Sequence, residues 1–392
     1  MGAPSRRLRL LATTAAVAAV VAAAGCGGDG DDASGAKKAY AIGFQGPLSG
    51  ENQQLGINAY NGMLTAVEAF NRSGAQPFTL RIVASDDQGV PEQGPTAAQK
   101  LIDVPDVIAV VGPVFSGPAK SSEPLYSQAG LLSVSPSATS PQLTDLGFTS
   151  FYRVISPDTV QGAAAADYLA KALKANRVFS LDDRSDYGVG LSASLEKALR
   201  DQGVTVVHDG LNPTKDYTSE ATKIIAAGPD AVYYSGYYAE FALLVKALRG
   251  KGYDGEILAG DGSNDDQLIR QAGARTAEGV LLTCACGDAN SDPRAASFVA
   301  EFKRVNSGVR PGTYSGEAYD ATQAIISVLT RNGATATRTS VREGLRAVDI
   351  PGVTKRIKFD ERGEVSDSTV YVYEIRDGQR VVLGPTSTLT KP

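Results

Sequence analysis

Five places in the chain combine a short apolar run with hydroxyl, aromatic or acidic residues directly after it. Ser116 follows Val107–Val111, and Ser137 and Thr139 follow Leu131–Val134. Tyr187 follows the pair Asp182-Asp183, Tyr237 follows Ala231–Tyr234, and Asp261 follows Glu256–Ala259. Val107–Val111 has no polar face, which suits a parallel strand buried on both sides. Open α/β sheets bind ligands at the carboxyl ends of their strands. Hydroxyls and free backbone N–H groups there suit a carboxylate, and Asp261 suits an ammonium held by charge-assisted hydrogen bonds. Aromatic rings would cover the remainder. The complementary molecule is a zwitterion. The same residue types also build ordinary strand-to-helix turns, and tyrosines in such positions also serve packing.

The elements that would position these residues form two series. Tyr40–Phe44, Phe78–Ala84, Val107–Val111 and Leu131–Val134 read as strands, separated by helices over Gly56–Arg72, Thr96–Asp103 and Ala119–Ala129. Ser156-Pro157-Asp158 reads as a crossing, after which the pattern restarts. Helices over Gln161–Leu173, Gly190–Asp201, Ser219–Ala226, Phe241–Arg249 and Asp265–Gln271 alternate with strands Arg177–Leu181, Val204–Val207, Ala231–Tyr234, Glu256–Ala259 and Gly279–Thr283. This alternation predicts an α/β fold with two doubly wound parallel-sheet lobes. Three helices after Gly287 fit a return to the first lobe. The expected division is 40–156 with 285–368 as lobe I and 157–284 with 369–392 as lobe II.

Composition narrows the function class. The 392 residues are 43% hydrophobic and 21% charged, as expected for a soluble globular protein. The net charge of -5 and the lack of a basic patch argue against nucleic acid as a partner. His208 is the only histidine, which disfavours a His-based metal site or triad. There is no Gly-x-Ser-x-Gly elbow either, so an enzyme is not expected. Asp86-Asp87 lacks the other ligands of a cation site, and neither cofactor nor metal is expected. Arg6, Arg7 and Arg9 precede an apolar run from Leu10 to Ala24 that ends in Ala23-Ala24-Gly25-Cys26. Residues 1–25 thus read as a signal peptide of the lipoprotein type, with Cys26 as the lipid attachment point and 26–39 as a flexible acidic tether. Sec export fits better than the twin-arginine route, whose motif is incomplete. Cys284 and Cys286 leave two readings open, a strained disulfide or two buried thiols.

The sequence resembles the branched-chain amino-acid binding proteins of ABC importers, the type I periplasmic-binding-protein fold, which implies that the two lobes are joined by a multi-strand hinge. GPLSG (Gly46–Gly50), VVGPVFS (Val110–Ser116), SPSATSPQLT (Ser135–Thr144), DYGVG (Asp186–Gly190), KDYTS (Lys215–Ser219) and AVYYSGYYAE (Ala231–Glu240) carry the resemblance by their order and spacing. It implies that Ser116 and Thr139 bind the ligand α-carboxylate and that Ser137 contributes backbone. It implies that Asp261 binds the α-ammonium, where Glu is usual, and that Tyr187 and Tyr237 are the aromatic contacts. Leu55 stands where a tyrosine is common, and Tyr314 stands near a position often held by Phe, so the specificity pocket departs from the pattern. The implied protein is a monomeric, lipid-anchored receptor on the outer face of the cytoplasmic membrane. It would deliver an amino acid to an ABC permease. The alternative is the same fold binding an amide, urea or an aromatic carboxylate, or serving as a sensor subunit.

Overall fold

Val107–Val111 becomes a strand in which every residue is buried, as its unbroken apolar character requires. It is the central strand of a five-stranded parallel sheet in the computed structural model, which describes residues 37–390. The signal segment 1–25, Cys26 and most of the 26–39 tether lie outside the described residues. This first sheet comprises β1 (Lys38–Gly46), β2 (Phe78–Asp86), β3 (Val107–Val111), β4 (Leu132–Ser135) and β5 (Phe151–Arg153), in the order β2-β1-β3-β4-β5. The order reverses direction between β1 and β3, and open α/β sheets bind ligands at such a switch point.

The second sheet holds β6 (Arg177–Asp182), β7 (Thr205–Gly210), β8 (Ala231–Ser235), β9 (Glu256–Ala259) and β10 (Leu281–Cys284). After a small hairpin, β11 (Asp349–Pro351) with β12 (Arg356–Lys358), the chain adds β13 (Tyr371–Arg376) and β14 (Gln379–Pro385) to this sheet. The order is β14-β13-β10-β9-β8-β6-β7, with its switch point between β6 and β8. The last two strands of this sheet run against the parallel ones. β13 pairs antiparallel with β10. β14 pairs antiparallel with β13, because the two-residue turn Asp377-Gly378 can only join antiparallel neighbours. Cys284 and Cys286 form a disulfide where the chain leaves β10, which decides between the two readings left open.

Several helices begin earlier than the sequence suggests, and the shift moves site residues. The helix after β3 is Ser116–Ala129, so Ser116 is its first residue rather than part of a loop. The helix after β6 is Asp186–Asp201, capped by the Ser185 hydroxyl, which accepts from Gly188 N–H. Tyr187 is therefore in a first turn. The helix after β5 starts at Asp158, inside the segment read as a crossing. Each missed start carries Pro, Ser or Asp, residues that favour turns and the first helical positions alike. Helix Ser315–Asn332 packs along Gln53–Ser73 and against the first sheet.

A buried acid in the first half gives a stability prediction. Glu123, within Ser116–Ala129, is fully buried and accepts from the Ser133 and Ser150 hydroxyls. Burial pushes its carboxyl up to about 7. The native state therefore holds a proton that the unfolded chain has already lost between the ordinary Glu range and about 7. Stability from this group is present below that window and is lost as pH rises through it. Glu123→Gln is expected to raise stability at pH 8 by up to about 3 kcal/mol and to flatten the slope between pH 5 and 8. Thermal unfolding across that range checks it, and an unchanged midpoint at pH 8 contradicts it.

Candidate ligand-binding site

Asp261 is fully buried in the loop that leaves β9. Three side chains donate to its carboxylate. The Tyr187 hydroxyl reaches Oδ1 at 2.7 Å, Gln161 Nε2 reaches Oδ1 at 3.0 Å, and the Tyr314 hydroxyl reaches Oδ2 at 2.8 Å. The flanking glycines are steric requirements. A Cβ on Gly260 would lie 2.5 Å from the Tyr187 hydroxyl, and one on Gly262 would lie 2.8 Å from Tyr187 Cε1. Small residues here let the Tyr187 ring lie against the backbone, and Gly262 N–H returns a hydrogen bond of 3.0 Å to its hydroxyl. Burial raises the Asp261 carboxyl, and the three donors oppose that rise without cancelling it.

Tyr314 stands just before helix Ser315–Asn332 with φ at 68°. A left-handed conformation at a bulky residue is uncommon and marks a position fixed by its surroundings. The Tyr314 hydroxyl is thereby held where it reaches the short Asp261 side chain at Oδ2.

Asp158 was not expected from the sequence. It is fully buried, and neither carboxylate oxygen has a hydrogen-bond partner among the described residues. Its pKa is pushed well above the ordinary range, first by burial and then by the charge of Asp261. The Thr139 hydroxyl approaches it and eases its ionisation, but that hydroxyl too lacks a partner of good geometry among the described residues. Asp158 N–H donates to Thr139 O at 2.9 Å, which ties the start of helix Asp158–Asp167 to the loop after β4. Unpartnered buried carboxylate oxygens are costly, and a further donor at this cluster would offset that cost. The one sequence signal was Pro157-Asp158 at a helix start, which many helices share.

The remaining predicted residues divide into two groups. Ser116, at 1% exposure, accepts from Ser140 N–H at 3.2 Å and stands at the N-terminus of its helix, where backbone N–H groups lack intrahelical partners. Ser137 donates to Val114 O at 2.6 Å, so its side chain braces the loop after β3. The ring of Tyr237 stacks on Phe115 at 4.3 Å between centroids and lies 5.3 Å from Tyr187. That stack joins the loop after β3 to the loop after β8. Leu55 is fully buried in the apolar cluster that also holds Phe44, Val114 and Tyr314, rather than among the polar groups. Asp86 accepts from Leu48 N–H, the Ser49 hydroxyl and Gln88 N–H, and Asp87 accepts from Gly89 N–H, so this pair shapes the loop after β1. Among the described residues no group of acidic, His or Cys side chains could hold a metal ion.

Further bonds join the two halves around this centre. Asn52 donates to Glu240 at 3.1 Å and accepts from Ala239 N–H at 3.2 Å. The Tyr238 hydroxyl donates to Glu51 O and accepts from Gln54 N–H, Asn58 bonds Asp265, and Lys120 pairs with Asp186.

The chain is similar over most of its length to proteins with known properties. An "Amino acid binding protein" of Pseudomonas aeruginosa is 31% identical over 341 residues, covering 86% of this chain and 90% of the relative. A "Leu/Ile/Val-binding protein homolog 3" of Brucella melitensis is 31% identical, covering 90% and 95%. The crystal structure of a leucine binding protein from Thermotoga maritima superposes with a TM-score of 0.82 at 28% identity, covering 88% of this chain and 98% of that one. The fold class and the family resemblance read from the sequence are both borne out. The sequence profile of the periplasmic binding proteins matches residues 39–380, and the chain belongs to that family.

Proposed function

We propose that this protein is an extracytoplasmic receptor that captures a branched-chain or similar amino acid and delivers it to an ABC permease. The observation that carries the reading is the buried acid pair. Asp158 and Asp261 place two carboxylates in one enclosed site, and Asp158 still has both oxygens unpartnered among the described residues. An ammonium supplies the missing charge and three donors. The names of the relatives, amino-acid and Leu/Ile/Val-binding proteins, supply the ligand class. In this reading Asp261 and Asp158 bind the α-ammonium. Ser116, Thr139 and the backbone at Ser137 bind the α-carboxylate. Tyr187, Tyr237, Tyr314 and Leu55 shape the space for the side chain.

The two lobes are 40–156 with 285–368 and 157–284 with 369–392, and they close by hinge bending. The receptor acts as a monomer and is tethered by lipid on Cys26 to the outer face of the cytoplasmic membrane. The basis for the tether is the n-region, apolar run and Ala-Gly-Cys sequence at the N-terminus. Among the described residues no helix is long and apolar enough to cross a membrane. No bond is made or broken. His208, a common candidate for catalysis, is paired with Glu196 and Asp182 on the edge strand β7.

A thermal-shift panel tests the reading. The protein is unfolded and refolded to strip bound ligand, then heated with the common amino acids, short amides, urea and benzoate. Stabilisation by leucine, isoleucine or valine is expected. Stabilisation by amides, urea or benzoate alone would overturn it. The closing contacts give a second prediction. Asn52→Ala removes two hydrogen bonds that join the halves, at about 0.7 kcal/mol each, and is expected to weaken binding roughly 10-fold. Calorimetry checks this, and full affinity would show that those bonds form without consequence for closure.

A further inference from the structure

Arg153, at the end of β5, is a fully buried guanidinium. Its Nη1 donates to Ala138 O at 3.0 Å and to Ser140 O at 2.9 Å, the carbonyls on either side of Thr139. Its Nε donates to Glu364 Oε2 at 2.7 Å, and its Nη2 also reaches Glu364 and, at 3.4 Å, the Thr144 hydroxyl. Glu364 belongs to the segment after β12. Arg153 N–H bonds Gly363 O at 3.0 Å, which sets that segment beside β5. A Cβ on Gly363 would lie 2.5 Å from Phe151 O, and its φ is 83°, so only glycine permits this approach.

A buried ion pair is weak evidence for stability, since well-packed apolar residues often replace one at no cost. Its placement here is informative. The guanidinium holds both carbonyls next to Thr139 and leaves Thr139 N–H and Oγ1 without a partner among the described residues. The Ala138 carbonyl and the Thr139 N–H belong to one peptide unit. A cation on the carbonyl oxygen polarises that unit and makes its N–H a stronger donor.

We propose that Arg153, oriented by Glu364, is a positioning residue for carboxylate recognition. It fixes the Thr139 peptide and relays positive charge through it to the α-carboxylate of the ligand. This rests on the amino-acid reading above and adds the source of its anion selectivity, in a site whose own ionisable side chains are acids. Two consequences follow. The selectivity depends on a segment more than 200 residues away in sequence from Thr139, as the separation of 211 between Arg153 and Glu364 shows. It also depends on the fork geometry, so a lysine does not substitute.

The test compares L-leucine with L-leucinamide, in which the carboxylate is a neutral amide. Calorimetry on the stripped full-length protein gives the ratio of the two affinities. Arg153→Lys is expected to lower that ratio on the order of 10-fold by weakening leucine selectively. The double variant Arg153→Met/Glu364→Leu, which keeps the site packed and free of unpaired charge, is expected to lower it equally and to fold if the lysine variant does not. Equal weakening of both ligands, or an unchanged ratio in the folded double variant, would overturn the relay and leave the amino-acid reading standing. Failure of the unmutated protein to bind leucine, isoleucine or valine would overturn both.

Discussion

Replacing Asp261 with asparagine is expected to weaken amino-acid binding by about 100-fold or more while leaving the fold intact. An ammonium enclosed in the site loses its ionic partner, and a buried charge stripped of its partner costs roughly 3–5 kcal/mol. Asparagine keeps the size of the side chain and an acceptor for Tyr187 and Gln161, which both bond Oδ1. The ligand-free protein loses a carboxylate whose ionisation burial already disfavours, so its unfolding midpoint should not fall. Calorimetry and thermal unfolding on the same preparation separate the two effects. Full affinity in a folded Asp261→Asn protein would remove Asp261 from the ammonium site.

Asp158→Asn has the second largest expected effect, on both affinity and its dependence on pH. The folded pKa of Asp158 is raised well above the ordinary carboxylate range by burial and by Asp261. An arriving ammonium favours the ionised form, so binding releases a proton wherever the free site still holds one. Affinity therefore falls as pH falls through the raised pKa. Asp158→Asn is expected to weaken binding about 10-fold or more, as loss of a charge-assisted hydrogen bond, and to reduce the proton release. Calorimetry in buffers of different ionisation enthalpy counts the protons. An unchanged proton count would place the titrating group elsewhere.

Much of this arrangement is legible in the sequence because strand ends are marked by composition. Apolar runs bounded by glycine, serine and aspartate located β3 and β9 to the residue, and the βα alternation gave both sheet systems. What escaped depends on packing between distant segments. Ser116 and Tyr187 read as loop residues from sequence because Gly112, Pro113 and Gly117 near the first, and Asp182-Asp183 before the second, look like turn chemistry. In the structure those residues lead straight into helices. Asp158 escaped because a Pro-Asp pair at a helix start is usually capping. Its nearness to Asp261, 103 positions later in the numbering, exists only in the folded chain. The Tyr314–Asp261 hydrogen bond and the Arg153–Glu364 pair are likewise invisible to local pattern. The antiparallel β13 and β14 were readable as a hairpin from Asp377-Gly378, but not as the edge of the second sheet.

The comparison that tests the central claim most directly is between L-leucine and 4-methylpentanoate, the same molecule without its amino group. Both are titrated into the stripped protein by calorimetry. The account predicts saturable heat with leucine, or with isoleucine or valine in its place, and binding of the deaminated acid weaker by about 100-fold or more. Equal affinity for the acid would contradict the assignment of the buried Asp158–Asp261 pair to an ammonium, and with it the identification of the ligand as an amino acid.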